Sequence, residues 1–159
     1  MKTLSIGDSV PEYFWQLKHH VYHNGKLTVQ DLSGYKGKYM ILDFWATWCS
    51  SCISHFGTLD SLAKANPAKL QIIQVNSIVG TGDTEDKVVS FFKSHVLSMP
   101  CIYQDTVLKE MFPRRFLPHY VWINEHGKVD AITSSALINS VNLHSLTASP
   151  NTTPNQKEK

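Results

Sequence analysis

The 159-residue chain is 42% hydrophobic and 11% aromatic, which fits one globular domain and leaves too little chain for two. Fifteen Lys and Arg against thirteen Asp and Glu give a net charge of +2 without a run of like sign, so neither nucleic acid nor an anionic membrane surface is expected as the main partner. A chain of this length buries roughly two-thirds of its unfolded surface on folding, so its core needs no metal or disulfide staple and a cysteine pair is free for chemistry.

The N-terminal run MKTLSIGDSVPEYF has neither an apolar h-region nor a small-residue cleavage site and does not read as a signal peptide. Composition alone fits a cytosolic chain and a mature or excised domain equally well. Gln16–His23 and Lys26–Asp31, joined by Asn24-Gly25, read as a β-hairpin. Met40–Trp45 (MILDFW) reads as a buried strand, and Ser50–Ala65 as a helix with Ile53, Phe56, Leu59, Leu62 and Ala63 on its inner face. Tyr39–Ala46, the longest apolar stretch, is interrupted by Asp43 and falls far short of the ~18 residues of a membrane span.

Leu70–Asn76 is a second β-branched strand, followed by a turn at Gly80 and Gly82 and a helix over Thr84–His95, whose start carries Asp83, Glu85 and Asp86. Strand–helix–strand–helix in this order predicts a βαβ unit with parallel strands. A short strand around Cys101–Tyr103 and a helix over Asp105–Met111 come next. His119–Asn124 and Lys128–Thr133, joined by Glu125-His126-Gly127, form an antiparallel hairpin. A last helix is expected over Asn139–Ala148, and the polar, proline-broken residues 149–159 read as a disordered tail or linker behind a domain of residues 1–148.

The cysteines stand at 49, 52 and 101. Cys49 falls where the buried strand hands over to a helix, so unpaired backbone N–H groups favour its thiolate and hold its pKa in the roughly 3.5–7.5 window of reactive cysteines. Cys52 lies one turn deeper on the same face, within reach of the first sulfur. One thiol can attack and the other resolve, which is the division of labour that thiol–disulfide exchange needs. The bland alternatives are two idle helix cysteines or half a zinc site, but no second CxxC and no His pair at ligand spacing accompanies the motif, and His19, His20 and His23 lie in the hairpin. No metal or other cofactor is expected.

The segment LDFWATWCSSC resembles the active-site strand and helix of the thioredoxin superfamily. With Gly7-Asp8…Pro11 before it and Leu117-Pro118 before HYVWINEHGKV, the pattern is similar to the extracytoplasmic TlpA/ResA-like branch over residues 5–148. The resemblance implies an α/β thioredoxin-like fold, a central mixed sheet with helices on both faces and here an N-terminal hairpin extension. It makes Cys49 the attacking and Cys52 the resolving cysteine, Pro118 a cis-proline beside the sulfurs, and Leu117 a backbone partner for an extended substrate chain. Asp43 matches the buried acid that takes the proton of the resolving thiol, although many TlpA-like members carry another polar residue there. The intervening Ser50-Ser51 is neither the Gly-Pro of thioredoxins nor a His-containing pair of strong oxidants, and by elimination points to a weakly to moderately reducing protein.

Trp45 is expected in the core and Trp48 on the rim around Cys49, where an amphipathic ring suits substrate docking. Cys101 is expected as a buried, inert core cysteine, with a third redox cysteine as the alternative. His55 is expected on a solvated helix face; His119 is either a substrate contact or an ordinary strand residue. Asn151-Thr152-Thr153 fits a glycosylation sequon in the tail. The function these residues support is disulfide exchange with protein thiols and disulfides, in the reducing direction, fed by a dithiol donor that the family resemblance makes membrane-bound and extracytoplasmic. A thiol peroxidase is the rival enzyme, but its motif needs Thr or Ser three residues before the cysteine, where Ala46 stands. A non-catalytic binding module of a longer protein is the rival from another class.

Overall fold

The computed structural model describes residues 1–138, apart from the side chain of Leu137; the helix expected at 139–148 and the tail expected at 149–159 lie outside them. Seven strands form one sheet in the order β2-β1-β5-β4-β3-β6-β7. They are β1 (His19–His23), β2 (Lys26–Gln30), β3 (Tyr39–Phe44), β4 (Leu70–Val75), β5 (Cys101–Tyr103), β6 (His119–Ile123) and β7 (Val129–Thr133). The β3–β4–β5 core is parallel, as the alternating strand–helix order predicts, while β6 and β7 and the N-terminal hairpin are antiparallel additions. The architecture is the expected mixed α/β sheet.

The hairpin turns where expected, with φ of 50° at Asn24 and 76° at Gly25. Two successive left-handed residues match the right-handed twist of the flanking strands, which explains an Asn-Gly pair at this point. Its first strand starts later than the sequence implies, because Gln16 closes a 3-10 turn over Glu12–Gln16. That turn buries the adjacent Phe14 and Trp15 together, whereas a strand would send neighbours to opposite faces.

Every residue of β3 is buried, since both faces of the sheet are covered. Met40, Leu42 and Phe44 face a cluster closed by Phe14 and Trp15 and by Leu108 and Met111 of the single-turn helix α5 (Leu108–Met111). Tyr39 and Ile41 point the other way, toward Leu59 and Leu62 of α2 (Phe56–Ala65). Trp45 continues that face into a third cluster with Cys49, Cys52, Phe56, Val88 and Phe92.

The single helix expected over Ser50–Ala65 is divided at His55 into α1 (Ser50–Ser54) and α2. The Ser51 carbonyl accepts from Ser54 Oγ at 2.9 Å and from His55 Nδ1–H at 2.7 Å, and the His55 amide turns to Cys52 instead. Side-chain donors have displaced one rung of the α-helical ladder. Between β4 and the next long helix a distorted turn, α3 (Ile78–Thr81), carries Gly80 at φ 100° and is followed by Gly82 at φ 76°. Then α4 (Glu85–Ser94) starts from Thr84, whose Oγ1 accepts from the Lys87 amide at 3.2 Å. Asp105, expected inside the next helix, caps it from outside and accepts from the amides of Val107, Leu108 and Lys109. Among the described residues no helix is long and apolar enough to cross a membrane.

Candidate active site

β3 ends at Phe44, the Trp45 amide still donates to Val75, and Cys49 is the N-cap of α1. The Cys49 and Cys52 sulfurs are bonded, with Cα atoms 5.3 Å apart. Their environments differ. Cys49 keeps 5% of its surface exposed and accepts a hydrogen bond at Sγ from the Cys52 amide at 3.1 Å, while Cys52 is fully buried. Cys49 is therefore the outer member of the pair, its sulfur facing a backbone donor, and Cys52 the inner one, sealed from solvent.

Trp45 is fully buried and packs edge-on against Phe56, with ring centroids 5.2 Å apart. Trp48 is 62% exposed and is held at the rim by donation from Nε1 to the Thr81 carbonyl at 2.7 Å. A second tie joins the same two loops, and sequence reasoning missed it. Buried Asp83 accepts at Oδ2 from the Thr47 amide at 2.9 Å and from Asn76 Nδ2 at 2.7 Å, and at Oδ1 from the Thr47 hydroxyl. Asp83 thus fastens the residues before Cys49 to the end of β4, rather than serving the α4 dipole for which its sequence position suits it.

The Leu117–Pro118 peptide is cis. His119 pairs with Phe44 at the β3 terminus, so Pro118 lies at the sheet end from which the CxxC segment departs, and Leu117 packs against the cluster that holds both cysteines. Among the described residues the Leu117 N–H and C=O carry no backbone hydrogen bond. His119 rests against the Phe44 ring, which also carries the Arg114 guanidinium 4.8 Å from its centroid. Burial and the Arg114 charge press the His119 pKa down to about 4, so the ring is neutral at physiological pH.

Asp43 is fully buried, and neither carboxyl oxygen has a hydrogen-bond partner among the described residues. Desolvation pushes its pKa well above the usual carboxylate range. The sheet register sets Gln74 on one side of it and Tyr120 on the other, with Cys101 beyond Gln74. Both polar atoms of Gln74 and the Tyr120 hydroxyl are also without partners among the described residues, so Asp43 belongs to a buried polar row across four strands. Cys101 is fully buried and burial pushes its thiol pKa up, which leaves it protonated and inert. His55 is bound to its own helix through the Ser51 carbonyl, and His23 Nε2 meets the Ser98 carbonyl at 2.8 Å.

The AhpC/TSA family matches residues 6–132, most of the chain. The chain belongs to that family. Within it, the chain is 30% identical to the thiol-disulfide oxidoreductase ResA of Oceanobacillus iheyensis over 86% of its length and 68% of the relative's. It is 29% identical to ResA of Bacillus subtilis over 88% of its length and 73% of the relative's. In fold it superposes on the exposed lipoprotein thioredoxin Etrx1 of Streptococcus pneumoniae with a TM-score of 0.70 at 24% identity, covering 82% of this chain and 96% of that one. The bonded Cys49–Cys52 pair fits a CxxC motif, and the chain is a thiol-disulfide oxidoreductase of this family.

Proposed function

We propose that this thiol-disulfide oxidoreductase reduces disulfides of other proteins, with Cys49 attacking and Cys52 resolving. The observation that carries the assignment is the asymmetry of the pair: an outer sulfur hydrogen-bonded by a helix N–H and an inner sulfur sealed from solvent. The Cys49 thiolate attacks one sulfur of a partner disulfide; that bond breaks, and the partner's second sulfur leaves and takes a proton from water. Cys52 then gives its proton to the Asp43 carboxylate and attacks Cys49 Sγ, the partner's remaining sulfur departs as a thiolate, and two electrons have passed to the partner. A dithiol donor runs the same exchange backwards on Cys49–Cys52 to restore the reduced form.

In this cycle Asp43 carries the proton in the disulfide form and returns it to the Cys52 sulfur on reduction. A carboxyl whose pKa burial raises, in a structure whose Cys49–Cys52 disulfide is closed, is consistent with that assignment. Leu117, next to cis-Pro118, pairs through its free backbone groups with an extended partner segment, and Trp48 borders that segment. The ResA-like relationship supports work outside the cytoplasm, with a membrane-bound dithiol donor.

The test uses the reduced Cys52→Ser protein and an oxidised model protein. A stable mixed disulfide on Cys49 is expected by mass spectrometry, and none in Cys49→Ser. Turnover surviving in Cys49→Ser would sink the assignment. Equilibration of the pair with glutathione buffers decides direction: a potential above the glutathione couple would make the protein an oxidant.

A further inference from the structure

A cleft of about 510 Å³ opens beside Trp48 and Leu117. Its walls combine two chemistries. Trp48, Val79 and Phe116 present apolar surface that is 62%, 65% and 81% exposed, while Lys109, Arg114 and Arg115 supply three cations. No carboxylate lines the cleft among the described residues, and none lies within salt-bridge distance of these cations there. The acids carried by the adjoining loops turn inward, Asp83 onto Thr47 and Asn76 and Asp105 onto the start of α5 and Ser77, and Asp105 also acts on the charge of Arg114. Glu110 is exposed on α5 but does not line the cleft.

Lys109 and Arg115, with no carboxylate within salt-bridge distance among the described residues, lie around exposed aromatic surface and form a field that attracts carboxylates, and the neighbouring apolar rings gain from being covered. We propose that this cleft selects the partner: it receives a polypeptide segment that carries acidic residues beside its reactive cysteine. The assignment rests on the exchange reading of Cys49–Cys52 and names the substrate class for that site. Arg114 is partly spoken for by the Phe44 ring and by the charge of Asp105, so Lys109 and Arg115 carry most of the selectivity.

The test compares two tryptophan-free peptides of equal length, with the cysteine flanked by two glutamates or by two lysines, each disulfide-linked to mercaptoethanol. Release of peptide thiol by the reduced full-length protein is timed by chromatography and normalised to the rate with dithiothreitol, which removes the intrinsic effect of the flanking charges. The acidic peptide is expected to react about tenfold faster at low ionic strength, falling to about twofold in 0.5 M salt, as exposed charge pairs are screened. Lys109→Glu with Arg115→Glu inverts the preference, and Lys109→Gln with Arg115→Gln brings the ratio to about one by removing the same charges without adding new ones. A wild-type ratio near one, or a ratio unmoved by both double variants, overturns the proposal. So does loss of sedimentation with phosphatidylserine vesicles in the Glu variant while the peptide ratio stays near one, because the cleft would then face lipid. Reduction of bis(2-hydroxyethyl) disulfide by the wild-type protein separates the two readings: if it occurs without peptide selectivity, only the cleft assignment fails, and if it does not occur, the exchange reading itself fails.

Discussion

The buried carboxyl of Asp43 gives a quantitative test of how the core bears on the site. It is fully buried, lacks a hydrogen-bond partner among the described residues, and has its pKa raised well above the usual range by desolvation. A carboxyl of this kind binds its proton more tightly folded than unfolded, so it weakens the fold as pH rises through the unfolded value of ~3.9. The penalty grows by about 1.4 kcal/mol per pH unit until the folded pKa is reached. Asp43→Asn removes the titration while keeping shape. Denaturant unfolding of the two oxidised proteins from about pH 4.5 upward is therefore expected to give stability curves that diverge, with the variant gaining on the wild type at up to about 1.4 kcal/mol per unit until the folded pKa is reached. Titrations shared by both proteins cancel in the difference. The same substitution slows release of the mixed disulfide if Asp43 exchanges a proton with Cys52. Parallel curves would refute the reasoning, since they would mean that the carboxyl ionises as freely inside the protein as outside it.

The other expectations concern the two loops and the strand that frame the disulfide. Asp83→Ala leaves the Thr47 amide and the Asn76 amide group without their acceptor and is expected to cost about 2–4 kcal/mol in denaturant unfolding, while Asp83→Asn retains part of that. The His119 ring is expected to titrate near pH 4 by NMR and to move upward in Arg114→Gln, which removes the repelling charge; a midpoint unmoved by that change would leave burial as the sole cause. Its contribution to stability has the opposite sign to that of Asp43: present in full above the unfolded value of ~6.5 and lost as pH falls toward 4. Thr84→Ala, which removes the α4 N-cap, is expected to cost about 1 kcal/mol in the same unfolding assay.

Much of this architecture is legible in the sequence, because its signals are local. MILDFW, LQIIQV and HYVWI are apolar, β-branched or aromatic runs of strand length, and a CxxC separated from the first of them by three residues, and followed by apolar residues at helical spacing, reads as a helix start. The break at His55 was hidden because it depends on which donor wins the Ser51 carbonyl, a competition that periodicity does not register. Asp83 was readable as a helix-start charge, but its real partners lie seven and 36 residues away and leave no spacing in the sequence. The row of Gln74, Asp43 and Tyr120 exists only through strand register. A run such as Pro113-Arg114-Arg115-Phe116 announces charge and aromatic surface, yet its position against Trp48 follows from the turn that brings β6 beside β3.

These placements divide the work of the site among separate parts of one sheet end. The outer sulfur accepts from the Cys52 amide, and Ser50 and Ser51 supply hydroxyls and no positive charge between the cysteines. A dithiol stabilised only so far gives up its electrons more readily than one held by a neighbouring cation, since a stabilised thiolate favours the reduced form. In the proposed cycle the inner sulfur exchanges its proton with a different element, the buried acid on β3, whose carboxyl does not reach the surface. Partner choice lies with a third element, the cations and rings around the cleft, which reach neither sulfur's core environment nor the polar row. Because the three are carried by α1, β3 and the segment before β6, a change of surface charge at Lys109 or Arg115 can alter which disulfides are met while leaving the order of electron and proton transfer within the pair intact.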